Sequence, residues 1–126
     1  MTVKFETAQK LKKQINFNSA ERFFFNKTKE RFYRKDLPTL AKDFDKLYTP
    51  APGLSELISI LPKFIKQGNC VFKFFLSYDE AELAKAFYGT EGLVGEEPLF
   101  WAFGTEPEEA AAALILKLIK NGKIKI

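Results

Sequence analysis

The stretch Cys70-Val-Phe-Lys-Phe-Phe-Leu-Ser-Tyr78 followed by Asp79-Glu-Ala-Glu-Leu-Ala-Lys-Ala-Phe-Tyr88 decides the fold class of this chain. Its first half reads as a strand, because Val and aromatic side chains fit a pleated, half-buried surface. The second half reads two ways. Its Ala, Glu, Leu and Lys favour a helix by propensity, whereas a turn at Asp79–Glu82 and a strand through Tyr88 would complete a hairpin.

Toward the C-terminus, a Gly-rich loop from Gly89 to Pro98 leads to a short strand, Leu99-Phe-Trp-Ala-Phe103. Thr105 with Glu108 three positions later has the form of a capping box, and Gly122 follows Asn121 where a left-handed C-terminal cap is wanted. Together they bracket a helix over about 106–121. Its Ala110, Ala111, Ala113, Leu114, Ile115, Leu118 and Ile119 leave little polar face, which predicts burial. In the other direction, Gln67-Gly-Asn69 is a turn, and Leu54, Leu57, Ile58 and Leu61 form an amphipathic helix that stops near Pro62. Thr49-Pro-Ala-Pro-Gly53 reads as a connector, since proline removes a donor and pushes the preceding residue toward extended geometry. Leu40, Phe44, Leu47 and Tyr48 give a weaker helical stripe after Pro38. Arg22-Phe-Phe-Phe-Asn26 and Arg31-Phe-Tyr33, split by Lys27-Thr-Lys-Glu30, predict a short hairpin. Phe5, Ala8, Leu11 and Ile15 recur at helical spacing, with Asn16 or Asn18 as the stop. This order predicts an α+β fold, an antiparallel sheet of about four to five strands packed with helices in a single domain over 1–126.

Composition narrows the chemistry. With no His and one Cys, zinc sites built on His or Cys, Ser-His and Cys-His nucleophile pairs and disulfide frameworks are excluded within one chain. Cys70, in an apolar strand with no His to activate it, is expected to be a buried, inert thiol. Gly89-Thr-Glu-Gly92 and Gly95 lack the order of a phosphate loop, and no carboxylate pair has a spacing that singles it out for a metal or for acid–base work. The expectation is therefore a non-enzymatic protein with no catalytic residue, no metal and no cofactor. The Met-Thr-Val-Lys-Phe start lacks the apolar stretch of a signal peptide, and Ala110–Leu116 is far short of a membrane span, which predicts a cytoplasmic protein with no membrane partner.

Charge is unevenly spread. Residues 1–35 carry ten basic and three acidic side chains, whereas residues 75–110 carry only Lys85 against nine acids. Two candidate binding surfaces follow, each with a simpler reading: a core face with solvated cations for the basic segment, and a solvated loop for the acidic one. In the basic segment, Phe23, Phe24, Phe25, Phe32 and Tyr33 alternate with Arg22, Lys27, Lys29, Arg31, Arg34 and Lys35, the mixture that stacks bases and holds phosphates of single-stranded nucleic acid. The simpler reading has Phe23 and Phe25 facing the core. Three successive Phe cannot share one face of a strand, so Phe24 must be exposed, covered by a helix or used by a partner. In the acidic segment, Glu106, Glu108 and Glu109 suit the first turn of a helix and Asp79 and Glu80 suit a turn. Glu91, Glu96 and Glu97, beside Leu93 and Val94, have no such structural reason and offer charge with a small apolar anchor to a basic protein.

Several stretches taken together resemble a recurring group of small phage and prophage proteins of uncharacterised activity: Phe5-Glu-Thr-Ala8, Leu11-Lys12 and Phe17, Pro50-Ala-Pro52, Leu54-Ser-Glu-Leu57, Leu61-Pro-Lys63, Ser77-Tyr-Asp79, and a Glu/Ala-rich helix ending in Asn121-Gly122. The likeness covers most of the chain. It implies a strand pair after Ser-Tyr-Asp, which favours the hairpin at 79–88, although this chain lacks the group's Trp-rich second strand. It also implies a protein of the infected or lysogenic host's cytoplasm that binds and inhibits or modulates a host protein, including anti-defence factors such as anti-CRISPR proteins. No functional residue comes with it. The partner surface expected from the residues is Glu91, Leu93, Glu96, Glu97 and Phe24. The alternative is a nucleic-acid module on Arg22, Phe24, Lys27, Lys29, Arg31, Arg34 and Lys35. A homo-oligomer through exposed aromatic surface is the third reading.

Overall fold

Residues 2–17, 20–37, 43–78, 83–90 and 99–124 are described by the computed structural model. In chain order the elements are α1 (Phe5–Lys12), β1 (Arg22–Phe25), β2 (Arg31–Tyr33), a 3-10 turn (Arg34–Asp36), α2 (Phe44–Leu47), β3 (Tyr48–Pro50), α3 (Leu54–Ile60), β4 (Phe64–Gln67), β5 (Cys70–Tyr78), β6 (Ala84–Gly89), β7 (Leu99–Gly104) and α4 (Pro107–Lys120). The strands divide into two antiparallel sheets, ordered β2-β1-β3 and β4-β5-β6-β7. The α+β class therefore stands, with the strands shared between two sheets.

The ambiguous stretch is resolved as a strand. β6 pairs antiparallel with β5 from Tyr78↔Ala84 to Lys73↔Gly89, and burial explains why tertiary structure overrides its helical propensity. Ala84, Ala86 and Tyr88 alternate along one face and are fully buried. α4 packs across β6 and β7, and its own Ala110, Ala111 and Ala112 are fully buried. Small side chains on both elements let helix and sheet approach closely. Gly104, at the end of β7, has no room for a side chain against the first turn of α4, since a Cβ there would lie 2.5 Å from the Ala110 backbone nitrogen. α4 also packs against α1 and α3, so Leu11, Leu57, Leu114, Ile115 and Leu118 meet in one core with no exposure.

α4 ends as expected and begins otherwise. Gly122 at φ +72° lets its N–H reach the Ile119 carbonyl and the Lys123 N–H reach the Leu118 carbonyl, a complete Schellman cap. The residue at the start of the helix is Glu106, Pro107 takes the first helical position, and no side chain caps the helix there, so the Thr105–Glu108 capping box is not formed. Pro at that position costs nothing because its missing donor would be unpaired anyway. Glu109 instead ties α4 to α1, accepting from the Thr7 hydroxyl at 2.8 Å and the Lys4 N–H at 3.4 Å.

Three other expectations are corrected. Tyr48–Pro50, read as the end of a helix and the start of a connector, is an edge strand, where Pro50 costs the sheet little. Among the described residues before it, α2 is a single helical turn, Leu40 lies outside them, and Lys12 Nζ at the end of α1 holds this region by donating to the carbonyls of Asp45 and Tyr48. α1 stops at Lys12, before Asn16, and Asn18 lies outside the described residues. Cys70 is exposed, because it opens β5 at the tip of the β4–β5 hairpin, where its partner Gln67 is exposed too. Among the described residues no helix is long and apolar enough to cross a membrane.

Candidate binding face on the four-stranded sheet

Because strand side chains alternate and directly opposed residues share a face, the pairing of β4–β7 fixes which groups point away from α4. Lys66 and Val71 form one row of this outward face, and Phe64, Lys73 and Gly89 the next. Phe75, Phe87 and Trp101 form a continuous aromatic row across three strands. Ser77, Lys85 and Phe103 follow it. Trp101 is 43% exposed, Phe103 44% and Phe64 56%, so the face is open to solvent despite its apolar content. Among the described strand residues it carries three lysines and no acid.

The aromatic row is ordered by its own contacts. The Phe75 and Phe87 rings stack with centroids 5.4 Å apart and planes 18° from parallel. Lys85 Nζ lies 5.0 Å from the Phe87 centroid and 5.6 Å from that of Phe103. Lys117 reaches from α4 round the β7 edge, placing Nζ 5.0 Å over the Trp101 ring and donating a 2.7 Å hydrogen bond to the Trp101 carbonyl. Each such cation–π contact at an exposed site is worth about 0.5–1 kcal/mol, little enough for a ligand to displace. A groove of about 500 Å³ between the end of α3 and the β4–β5 pair borders the face, and Phe64 and Lys73 belong to both. Its neighbour Tyr88 is anchored beneath the sheet, its hydroxyl donating to the Pro62 carbonyl at 2.6 Å. Burial pushes that phenol well above its ordinary pKa.

The described residues among those expected from sequence lie in the β1–β2 hairpin and the 3-10 turn after it, outside the four-stranded sheet. Phe24 is 4% exposed and sits edge-on to Phe5 of α1, with ring centroids 5.4 Å apart, so it is available neither to a protein partner nor to a base. Helix cover, not exposure, resolves the three consecutive phenylalanines: Phe24 packs under α1, Phe23 packs on Phe44 from the other face, and Phe25 packs on Tyr48. Several basic groups of the hairpin lie over rings of their own segment or of α1, contacts as weak as those on the sheet face. Arg22 donates to the Tyr33 hydroxyl and lies over its ring, which Lys35 also faces. Arg31 donates to Thr2 Oγ1 and lies over Phe24. Lys29 is over Phe5 and 3.9 Å from Glu6. Lys27 and Arg34 are exposed, on the turn and just after β2. The hairpin thus brings the cations together while leaving Tyr33 its one strongly exposed ring. Glu91, Leu93, Glu96 and Glu97 lie outside the described residues.

Sequence reasoning missed the β4–β7 face. The signal was present in the alternation of Ala84, Ala86 and Tyr88 with Lys85 and Phe87, but it exists only if 84–89 is a strand. The chain matches no known protein family, no curated protein and no solved structure.

Proposed function

We propose that this is a non-enzymatic binding protein whose working surface is the outward face of β4–β7 and whose partner is an anionic macromolecule. The observation that carries this reading is the row Phe75–Phe87–Trp101, with Lys73 in the row on one side, Lys85 in the row on the other, and no acid among the described strand residues of the face. An exposed apolar surface rimmed by one sign of charge is the mark of an interaction site. The resemblance to phage proteins makes a component of the host cell the expected source of the partner, and a host protein would have to present an acidic surface here.

Two double variants that change charge equally test this reading. Lys73→Glu with Lys85→Glu alters the face, and Lys27→Glu with Lys35→Glu alters the hairpin. Retention on a heparin column should fall sharply for the face variant and little for the hairpin variant. Equal losses would reduce the effect to net charge and overturn the assignment of the face.

A further inference from the structure

We infer that the anionic partner of the β4–β7 face is single-stranded nucleic acid, an inference that rests on the reading of this face as the working surface. Phosphates supply the charge that Lys66, Lys73 and Lys85 would neutralise, and bases supply flat π surfaces to Phe75, Phe87, Trp101 and Phe103. These two requirements occur together here: the aromatic row crosses three adjacent strands, and lysines occupy the rows on both sides of it. An acidic protein would have to match this spacing with separate carboxylates and apolar groups, whereas every nucleotide of a single strand carries a phosphate and a flat base together. A duplex hides the faces of its bases, which single strands expose for stacking on a sheet. In the free protein Lys85 lies over Phe87 and Phe103, and Lys117 over Trp101. Base stacking outweighs an exposed cation–π contact, so incoming bases displace the ammonium groups toward the phosphates.

The same arrangement sets the mode of recognition. Among the described strand residues of the face there is no Arg, Asn or Gln to read base edges, and Ser77 and the Trp101 indole N–H are its neutral hydrogen-bonding groups. Binding is therefore tolerant of sequence, with about two or three bases on the sheet. Phe64 and Lys73, shared with the groove beside β4, carry the strand off the sheet at that edge.

Trp101 is the sole tryptophan, so its fluorescence reports on the face directly. The full chain is titrated with an oligothymidine and an oligouridine of about ten nucleotides, within the range of single-strand site sizes. The same strand as a duplex, poly-glutamate, and vesicles containing phosphatidylserine are titrated in parallel. Saturable quenching by both single strands is expected, with duplex binding at least about tenfold weaker. Three phosphate contacts should make affinity fall about twentyfold between about 50 and 200 mM salt. By anisotropy of a labelled strand, Phe87→Ala should lose about five- to a hundredfold in affinity, the effect of removing one stacking ring, and Phe87→Tyr should restore it. Phe103→Ala, at an exposed position, gives the same reading without touching the core.

Binding to poly-glutamate or vesicles without binding to single strands would overturn the nucleic-acid inference and leave the face as an anion-binding surface. Single-strand binding that survives Lys73→Glu with Lys85→Glu but is lost in Lys27→Glu with Lys35→Glu would overturn both. Absence of binding to every anionic probe, with heparin retention equal for the two double variants, would also overturn both.

Discussion

Leu99 and Trp101 stand two residues apart in β7 yet project from opposite faces of the sheet. Leu99 is opposed to Tyr88 on the covered face and Trp101 to Phe87 on the open one, and Phe100 is the extra residue between them, at φ +47°. A bulge of this kind re-aims the side chains beyond it. Here it puts Trp101 into the aromatic row while keeping Leu99 against the core.

Deleting Phe100 should therefore restore regular alternation without moving either neighbour. A non-glycine residue in the left-handed region costs about 1–2 kcal/mol, which relief of the bulge returns against the lost packing of a partly buried ring. Urea melts of the deletion variant should differ from the parent by less than about 2 kcal/mol. Trp101 emission should stay that of an exposed indole; a blue shift would mean that the strand had slipped register.

Tyr88 links alkaline pH to stability. Its folded pKa lies above the unfolded value because burial disfavours the phenolate, so its contribution is complete below about pH 10, the unfolded value, and is lost as pH rises above it. Tyr88→Phe removes the hydrogen bond to the Pro62 carbonyl and should cost about 1 kcal/mol at neutral pH. Chemical denaturation across pH should show the gap between parent and variant closing above about pH 10. A gap that stays constant would place the phenol in contact with water.

Leu114 and Leu118 lie one turn apart on the buried side of α4, each with no exposure. Truncating either to Ala should cost about 2–5 kcal/mol in equilibrium unfolding. Losses below about 0.5 kcal/mol, the range of surface substitutions, would contradict the central position of this helix.

The two ends of α4 should respond differently to alanine. Thr105 is exposed and caps nothing, so Thr105→Ala should change stability by less than about 0.5 kcal/mol. Gly122 holds the left-handed cap, and Gly122→Ala should cost about 1–2 kcal/mol, readable as a lowered Tm. Equal effects at the two positions would mean that the Schellman cap contributes nothing.

Much of the fold was legible locally. The run of Val and Phe gave β5 its limits at Cys70 and Tyr78, Pro62 follows closely on the end of α3, and Gly122 closes α4. These follow from the backbone preferences of residues close in sequence. Thr105–Glu108 carried a valid signal that lost to Pro107, whose fixed φ starts the helix one residue later. Pro50 reads as part of a break because proline removes a backbone donor, and its place in the edge strand β3 is what admits it to a sheet.

The site was not legible in the same way. Alternation along a strand determines which side chains share a face, and that much the residues of β5 and β6 specify by themselves. Which face is covered depends on where α4, about twenty residues downstream, comes to rest. α4 settles on Ala84 and Ala86, where small side chains admit it, and leaves Phe75, Phe87 and Trp101 outside. For Phe24 the outcome is the reverse, since Phe5 of α1 closes over a ring that alternation alone would have left in water. Burial is a property of contacts between distant segments, and so the tertiary structure, by covering one aromatic set and exposing the other, decided which rings face solvent.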